Sequence, residues 1–146
     1  MKTQNLHNQL VDWRQDLHMN PQISFEEVYA SNKVANLLKE AKRPLLLAGH
    51  GVRLSSGATN EFLKLAEQHQ LPLTTSWNAD DIVNFDHDLF IGRPGAFASR
   101  GVNFAIQNAD LLISIGSRLP FMITGYNSKD FARNAFKITV DIDKNE

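Results

Sequence analysis

Four short stretches of this sequence combine glycine with residues able to hold a ligand. They are Gly49-His50-Gly51, Thr75-Ser76-Trp77-Asn78, Gly116-Ser117-Arg118 and Asp141-Ile142-Asp143. Glycine lets a backbone approach a ligand closely, and a helix starting after such a turn offers N–H groups to an anion. A diphosphate near Gly49–Gly51 is therefore physically sensible, with Arg118 as its counter-charge. Asp141 or Asp143 could accept from ribose hydroxyls or an adenine amine. The same glycines could equally do no more than turn the chain. The dinucleotide pattern G-x-G-x-x-G fails here, because residue 54 is Leu. No G-x-x-x-x-G-K-[ST] phosphate loop occurs either.

The other reactive side chains fall into weaker patterns. His50 stands in a turn and could touch a ligand or simply bond to backbone. Asp86-His87-Asp88 has metal-binding residue types, but consecutive residues seldom converge on one ion, and a solvated loop is the expected reading. His7, His18 and His69 lack the H-E-x-x-H spacing of a zinc site. Ser55, Ser56 and Ser114 have no nucleophile-elbow context. Glu26 and Glu27 sit at a helix start, where carboxylates favour the dipole. No catalytic and no metal-ligating residue is assigned.

These turns need elements to position them. Leu6, Leu10, Trp13 and Leu17 fall at helical spacing, and Asn20-Pro21 ends that stripe. Ser24 and Glu27 form a capping box, with Ile23 and Val28 placed as its hydrophobic staple. Ala30, Val34, Leu38 and Ala41 continue a second helix up to Lys42-Arg43-Pro44. The period then changes. Leu45-Leu46-Leu47-Ala48 suits a strand buried on both faces. A helix over about 56–70 follows, then a strand over 71–75 with its proline near the start. A long loop to about Arg100 holds a possible short strand at Leu89-Phe90-Ile91. Val102, Ala105, Ile106 and Ala109 mark another helix, and 111–115 another strand. A short helix near 129–134 leads to a last strand over 137–142. This alternation predicts an α/β fold: a Rossmann-like parallel sheet covered by helices, behind an N-terminal helical hairpin. In such sheets ligands sit beyond the carboxyl ends of the strands, where all four stretches lie.

The chain has 146 residues, 42% of them hydrophobic, which is enough to bury a core without staples. It has no cysteine, which removes disulfides, thiolate metal sites and cysteine nucleophiles. Fifteen basic against sixteen acidic residues give no pull toward nucleic acid or anionic membrane. No apolar run approaches the roughly 20 residues of a membrane span, and the polar start has no signal-peptide core. A soluble, cytoplasmic protein is the expectation, with no nucleic-acid or membrane partner. Exposed sheet edges make a homo-oligomer plausible.

From Ala41 onward the chain resembles the central domain of thiamine-diphosphate-dependent enzymes of the acetolactate synthase type. The matching stretches are Ala41–Gly51, Gly92-Arg93-Pro94-Gly95, Asn103–Arg118 and Phe131–Asp143. The resemblance implies a Rossmann-like domain that carries FAD or an ADP moiety in some members and is a spacer in others. Carried over position by position, the cofactor-binding candidates are Gly49, His50, Gly51, Thr75, Trp77, Gly116, Arg118, Thr124, Gly125, Asp141 and Asp143. FAD-binding members usually follow the Gly116-Ser117-Arg118 equivalent with an acidic residue and another arginine. Here Leu119-Pro120-Phe121-Met122 stands there, which favours an ADP-like ligand, or none, over FAD. Thiamine diphosphate and magnesium would belong to other domains of a complete enzyme, which supply a glutamate and a Gly-Asp-Gly…Asn segment. No Gly-Asp pair occurs here. The resemblance thus implies that 2-keto acid decarboxylation and carboligation do not run on this chain alone, and that the family's final strand is missing.

Residues 10–27 resemble something else, the N-terminal helices of zinc-dependent amidohydrolases of the aminoacylase and hippurate hydrolase type. None of that family's metal ligands follows. Two openings meeting near Leu37–Ala41 suggest a chimera, with residues 1–41 as a helical hairpin and 42–146 as the Rossmann-like domain. Any capped amphipathic helix pair would look similar. The alternatives are a non-enzymatic engineered scaffold and a fragment of a zinc amidohydrolase.

Overall fold

A computed structural model describes residue 12 and residues 28–143. The proposed first helix, the capping box and the staple lie outside these residues. The chain divides between Glu40 and Ala41 into two compact units. In the first, helix α1 (Val28–Glu40) buries none of its residues.

The second unit is a four-stranded parallel sheet of β1 (Pro44–Ala48), β2 (Leu73–Thr75), β3 (Leu111–Ile115) and β4 (Phe136–Val140), in the order β2-β1-β3-β4. This is the Rossmann-like α/β architecture that the alternating pattern predicted. The two central strands are apolar because both their faces are covered. Register places Leu45, Leu47 and Leu112 on one face. There they join a buried cluster with Ile106, Ala109, Ile123 and Phe131. Leu46, Leu73 and Ile113 occupy the opposite face and are also buried.

The helices are α2 (His50–Leu54), α3 (Ala58–His69), α4 (Arg100–Asn108) and α5 (Phe121–Thr124). Two of these correct the sequence reading. The expected helix over 56–70 is preceded by a separate short one, because Ser55 to Gly57 break the run and Gly57 takes a left-handed φ of 76°. The stretch 116–128, to which the sequence reading assigned no element, contains α5, which starts after Pro120. The expected helix at 129–134 is only a 3-10 turn over Ser128–Asp130. The long loop opens with another 3-10 turn, Trp77–Ile82. Leu89–Ile91 contributes a single bridge, Leu73 to Phe90, instead of a strand.

Asp110 ties the start of β1 to the start of β3. Its carboxylate accepts from the backbone N–H of Lys42 at 2.9 Å and of Arg43 at 2.8 Å. The chain leaves β1 outward to β2 and then crosses back to β3 on the other side of β1. The carboxyl ends of β1 and β3 therefore form the switch point where open α/β sheets bind ligands.

Candidate functional site

At this switch point the turns after β1 and β3 interlock. Gly49 N–H donates to the Ile115 carbonyl at 2.8 Å, and Gly51 N–H donates to the Gly116 carbonyl at 2.9 Å. A Cβ on Gly49 would lie 2.1 Å from the Gly116 oxygen, and one on Gly116 would lie 2.7 Å from the Val52 nitrogen. Gly116 also has a φ of 60°. Glycine is thus required here for backbone-to-backbone contact. The N–H groups of both glycines of the β1 turn are thus engaged by protein carbonyls.

Above this crossing lies a cleft of about 640 Å³, lined by residues from the end of every strand. Trp77 follows β2, His50 and Gly51 follow β1, Gly116, Ser117 and Arg118 follow β3, and Asp141 follows β4. Arg118 and Asp141 are the cation and the carboxylate of this lining. Leu54, Pro120, Met122, Ile123 and Ile142 add apolar wall, and Ser76, Asn78 and Ser117 add uncharged polar groups.

Three of the polar groups are held from behind. His50 Nδ1 lies 2.7 Å from the Asn78 carbonyl oxygen. Trp77 donates its indole N–H to the Pro94 carbonyl at 3.3 Å, and its ring meets Phe97 at 5.8 Å between centroids. One Asp141 oxygen accepts from the Asp143 N–H at 3.0 Å. Asn103 grips Gly95 at both its N–H and its carbonyl, each at 3.0 Å, which fixes the loop beside Met122. The Gly95 position needs glycine, since a Cβ there would lie 2.4 Å from the Met122 carbonyl oxygen.

Of the residues singled out in the sequence, His50, Gly51, Trp77, Gly116, Arg118 and Asp141 line the cleft together. Gly49 lies buried beneath it. Thr75 is fully buried in β2, its hydroxyl without a hydrogen-bond partner among the described residues. Thr124 and Gly125 line a second cavity of about 380 Å³, bounded by Gln107, Tyr126 and Phe131. Asp143 is outside the lining and contributes its N–H to Asp141. The sequence reading missed Met122 and Ile123, which α5 supplies to both cavities. Pro120 was the available signal, since proline favours the start of a helix. Asp86-His87-Asp88 is a loop in which His87 contacts Glu67 at 3.2 Å and accepts from the Leu89 N–H.

A family model for the thiamine pyrophosphate enzyme central domain matches residues 31–146. The chain belongs to this family. The match starts ten residues before the Ala41 boundary read from the sequence, inside α1, whose residues carry no distinctive motif. Among curated relatives, a probable acetolactate synthase large subunit of Methanococcus aeolicus is 41% identical over 114 residues, covering 78% of this chain and 19% of that protein. Its counterpart in Methanocaldococcus jannaschii is 39% identical over the same length and coverage. The acetolactate synthase isozyme 1 large subunit of Escherichia coli K12 is 38% identical over 112 residues, covering 77% of this chain and 19% of that protein. The chain thus spans about a fifth of the length of these relatives. Among its described residues, no helix of this family member is long and apolar enough to cross a membrane.

Proposed function

We propose that this chain is the ligand-holding central part of an acetolactate synthase-like enzyme and that its cleft accepts an ADP moiety. The observation that carries this reading is the convergence of Trp77, His50, Arg118 and Asp141 over the switch point. An aromatic ring, a cation and a carboxylate are what an adenine, a diphosphate and a ribose diol need. Arg118 runs into an apolar turn through Leu119, Pro120 and α5, which favours an ADP moiety over complete FAD.

Thiamine diphosphate would supply the electron sink for 2-keto acid chemistry in a complete enzyme. The residues of this chain do not fit that cofactor with its magnesium. Among the described residues no three His, Asp or Glu side chains are grouped to hold a metal ion, and the sequence lacks a Gly-Asp pair. Titration calorimetry and thermal shift with ADP, FAD and thiamine diphosphate test the reading. ADP should give heat and raise the melting temperature. No heat and no shift at millimolar ADP would remove the proposal.

Residues 1–30 lie before the family match. We propose that residues 10–27, which fall within that stretch, come from an amidohydrolase-like opening joined onto the family's sequence. A chain beginning at residue 31 should then keep the melting temperature of the full chain, and a chain that no longer folds would overturn this.

A further inference from the structure

The polar groups of the β1 and β3 turns differ in kind, and their placement orients a ligand. The β1 turn offers no spare amide at its glycines, because the N–H groups of Gly49 and Gly51 both donate to carbonyls of the β3 end. His50 stands between them, its Nδ1 2.7 Å from the Asn78 carbonyl oxygen. A carbonyl oxygen can only accept, so Nδ1 carries the proton of the neutral ring. Nε2 is then a bare acceptor. That bond is the one the His50 ring makes among the described residues. The charged groups that share a cavity wall with it are paired, Arg53 with Asp81 at 3.1 Å and Asp80 with the more distant Arg93 at 3.0 Å. The β3 turn differs in sign, since it carries Arg118.

We infer that His50 is a specificity-determining residue, locked by the Asn78 carbonyl as a hydrogen-bond acceptor, so that the β1 side of the cleft reads an N–H or O–H donor and the anion lies on the Arg118 side. This rests on the ADP reading and moves the diphosphate away from Gly49–Gly51, where sequence alone placed it. The nucleoside half of ADP carries the required donors, the 6-amino group and the two ribose hydroxyls. A phosphate set against a bare imidazole nitrogen would face lone pair to lone pair.

The test compares ADP with inorganic pyrophosphate, which keeps the anion and lacks every nucleoside donor. His50→Phe keeps an aromatic ring and removes the acceptor. It should weaken ADP about tenfold and leave pyrophosphate within about twofold. His50→Gln, whose amide oxygen accepts, should recover most of the ADP affinity, and Arg118→Gln should weaken both ligands. Inosine diphosphate and 2′-deoxy-ADP then report which donor is read, by the one that His50→Phe no longer distinguishes from ADP. A His50→Phe variant that binds ADP normally, or that loses pyrophosphate as much as ADP, overturns the inference while the ADP reading stands. Nitrogen-15 spectra of the imidazole give an independent check. A protonated Nδ1 with a bare Nε2 supports the lock, and the opposite tautomer overturns it. A wild-type chain that binds no ADP removes both the functional reading and this orientation.

Discussion

Gly49 and Gly101 show how one residue type takes opposite roles. A methyl group at Gly49 would meet the Gly116 carbonyl oxygen at 2.1 Å, with backbone on both sides of the contact. Gly49→Ala should therefore cost about 3 kcal/mol or more in a denaturant titration, since two turns would have to separate. Gly101 stands in α4 with nothing within 4 Å of an added Cβ. Gly101→Ala should instead raise stability by about 0.5 kcal/mol, because alanine has less backbone freedom to lose. The sequence named Gly49 as a site residue but could not distinguish a ligand-facing glycine from one that faces another turn. That distinction needs the partner, Gly116, which lies 67 positions away in the chain and only touches Gly49 after folding. Asp110 gives a second residue-scale expectation. Burial pushes its carboxyl upward and is the largest single influence. The N–H groups of Arg43 and Lys42 and the Arg43 charge together outweigh it, so the native value lies below the ordinary 3.8. A lowered native value stabilises the fold above the ordinary range, and that stabilisation is lost as pH falls through the native value. Asp110→Asn should cost about 1 kcal/mol at neutral pH, and its stability should change less than that of the wild type below about pH 4. Parallel acid titrations of the two proteins check this.

Among the elements, the strands were the most legible in sequence. Runs such as 45–48 and 111–115 are continuously apolar because both faces of a central parallel strand are covered. The edge elements were less so. Leu89–Ile91 is apolar enough for a strand, yet it has only β2 to pair with and makes one bridge. Helix α5 spans four residues, too short for any periodicity to reveal, and its walls depend on Gly95 approaching Met122. Asn103 is the clamp that holds that loop. Asn103→Ala should cost about 1–2 kcal/mol, since it leaves the N–H and carbonyl of Gly95 without these partners. Amide exchange of Gly95 and Ala96 should then speed up more than that of the sheet, and equal acceleration throughout would contradict a local clamp.

At the scale of the whole molecule, the sheet has unequal margins. On the β2 side, Leu73 exchanges hydrogen bonds with Leu89 and Ile91, so that margin is covered. On the other side, among the described residues, β4 pairs with β3 alone, and Val140 and Ile142 are exposed. An unpaired, partly apolar edge strand is a template for another chain. Sedimentation velocity should show concentration-dependent association of the wild type, and Val140→Lys should reduce it. Association unchanged by Val140→Lys would place the contact elsewhere.

The crossing of the β1 and β3 turns also bears on motion. Loops are commonly the first parts of a protein to open to solvent. Here the amide hydrogens of Gly49, Gly51 and Gly116 are each held by a carbonyl from a neighbouring strand or turn. They should therefore swap for deuterium as slowly as those in the middle of the sheet, making the floor of the cleft one of the last places in the molecule to loosen.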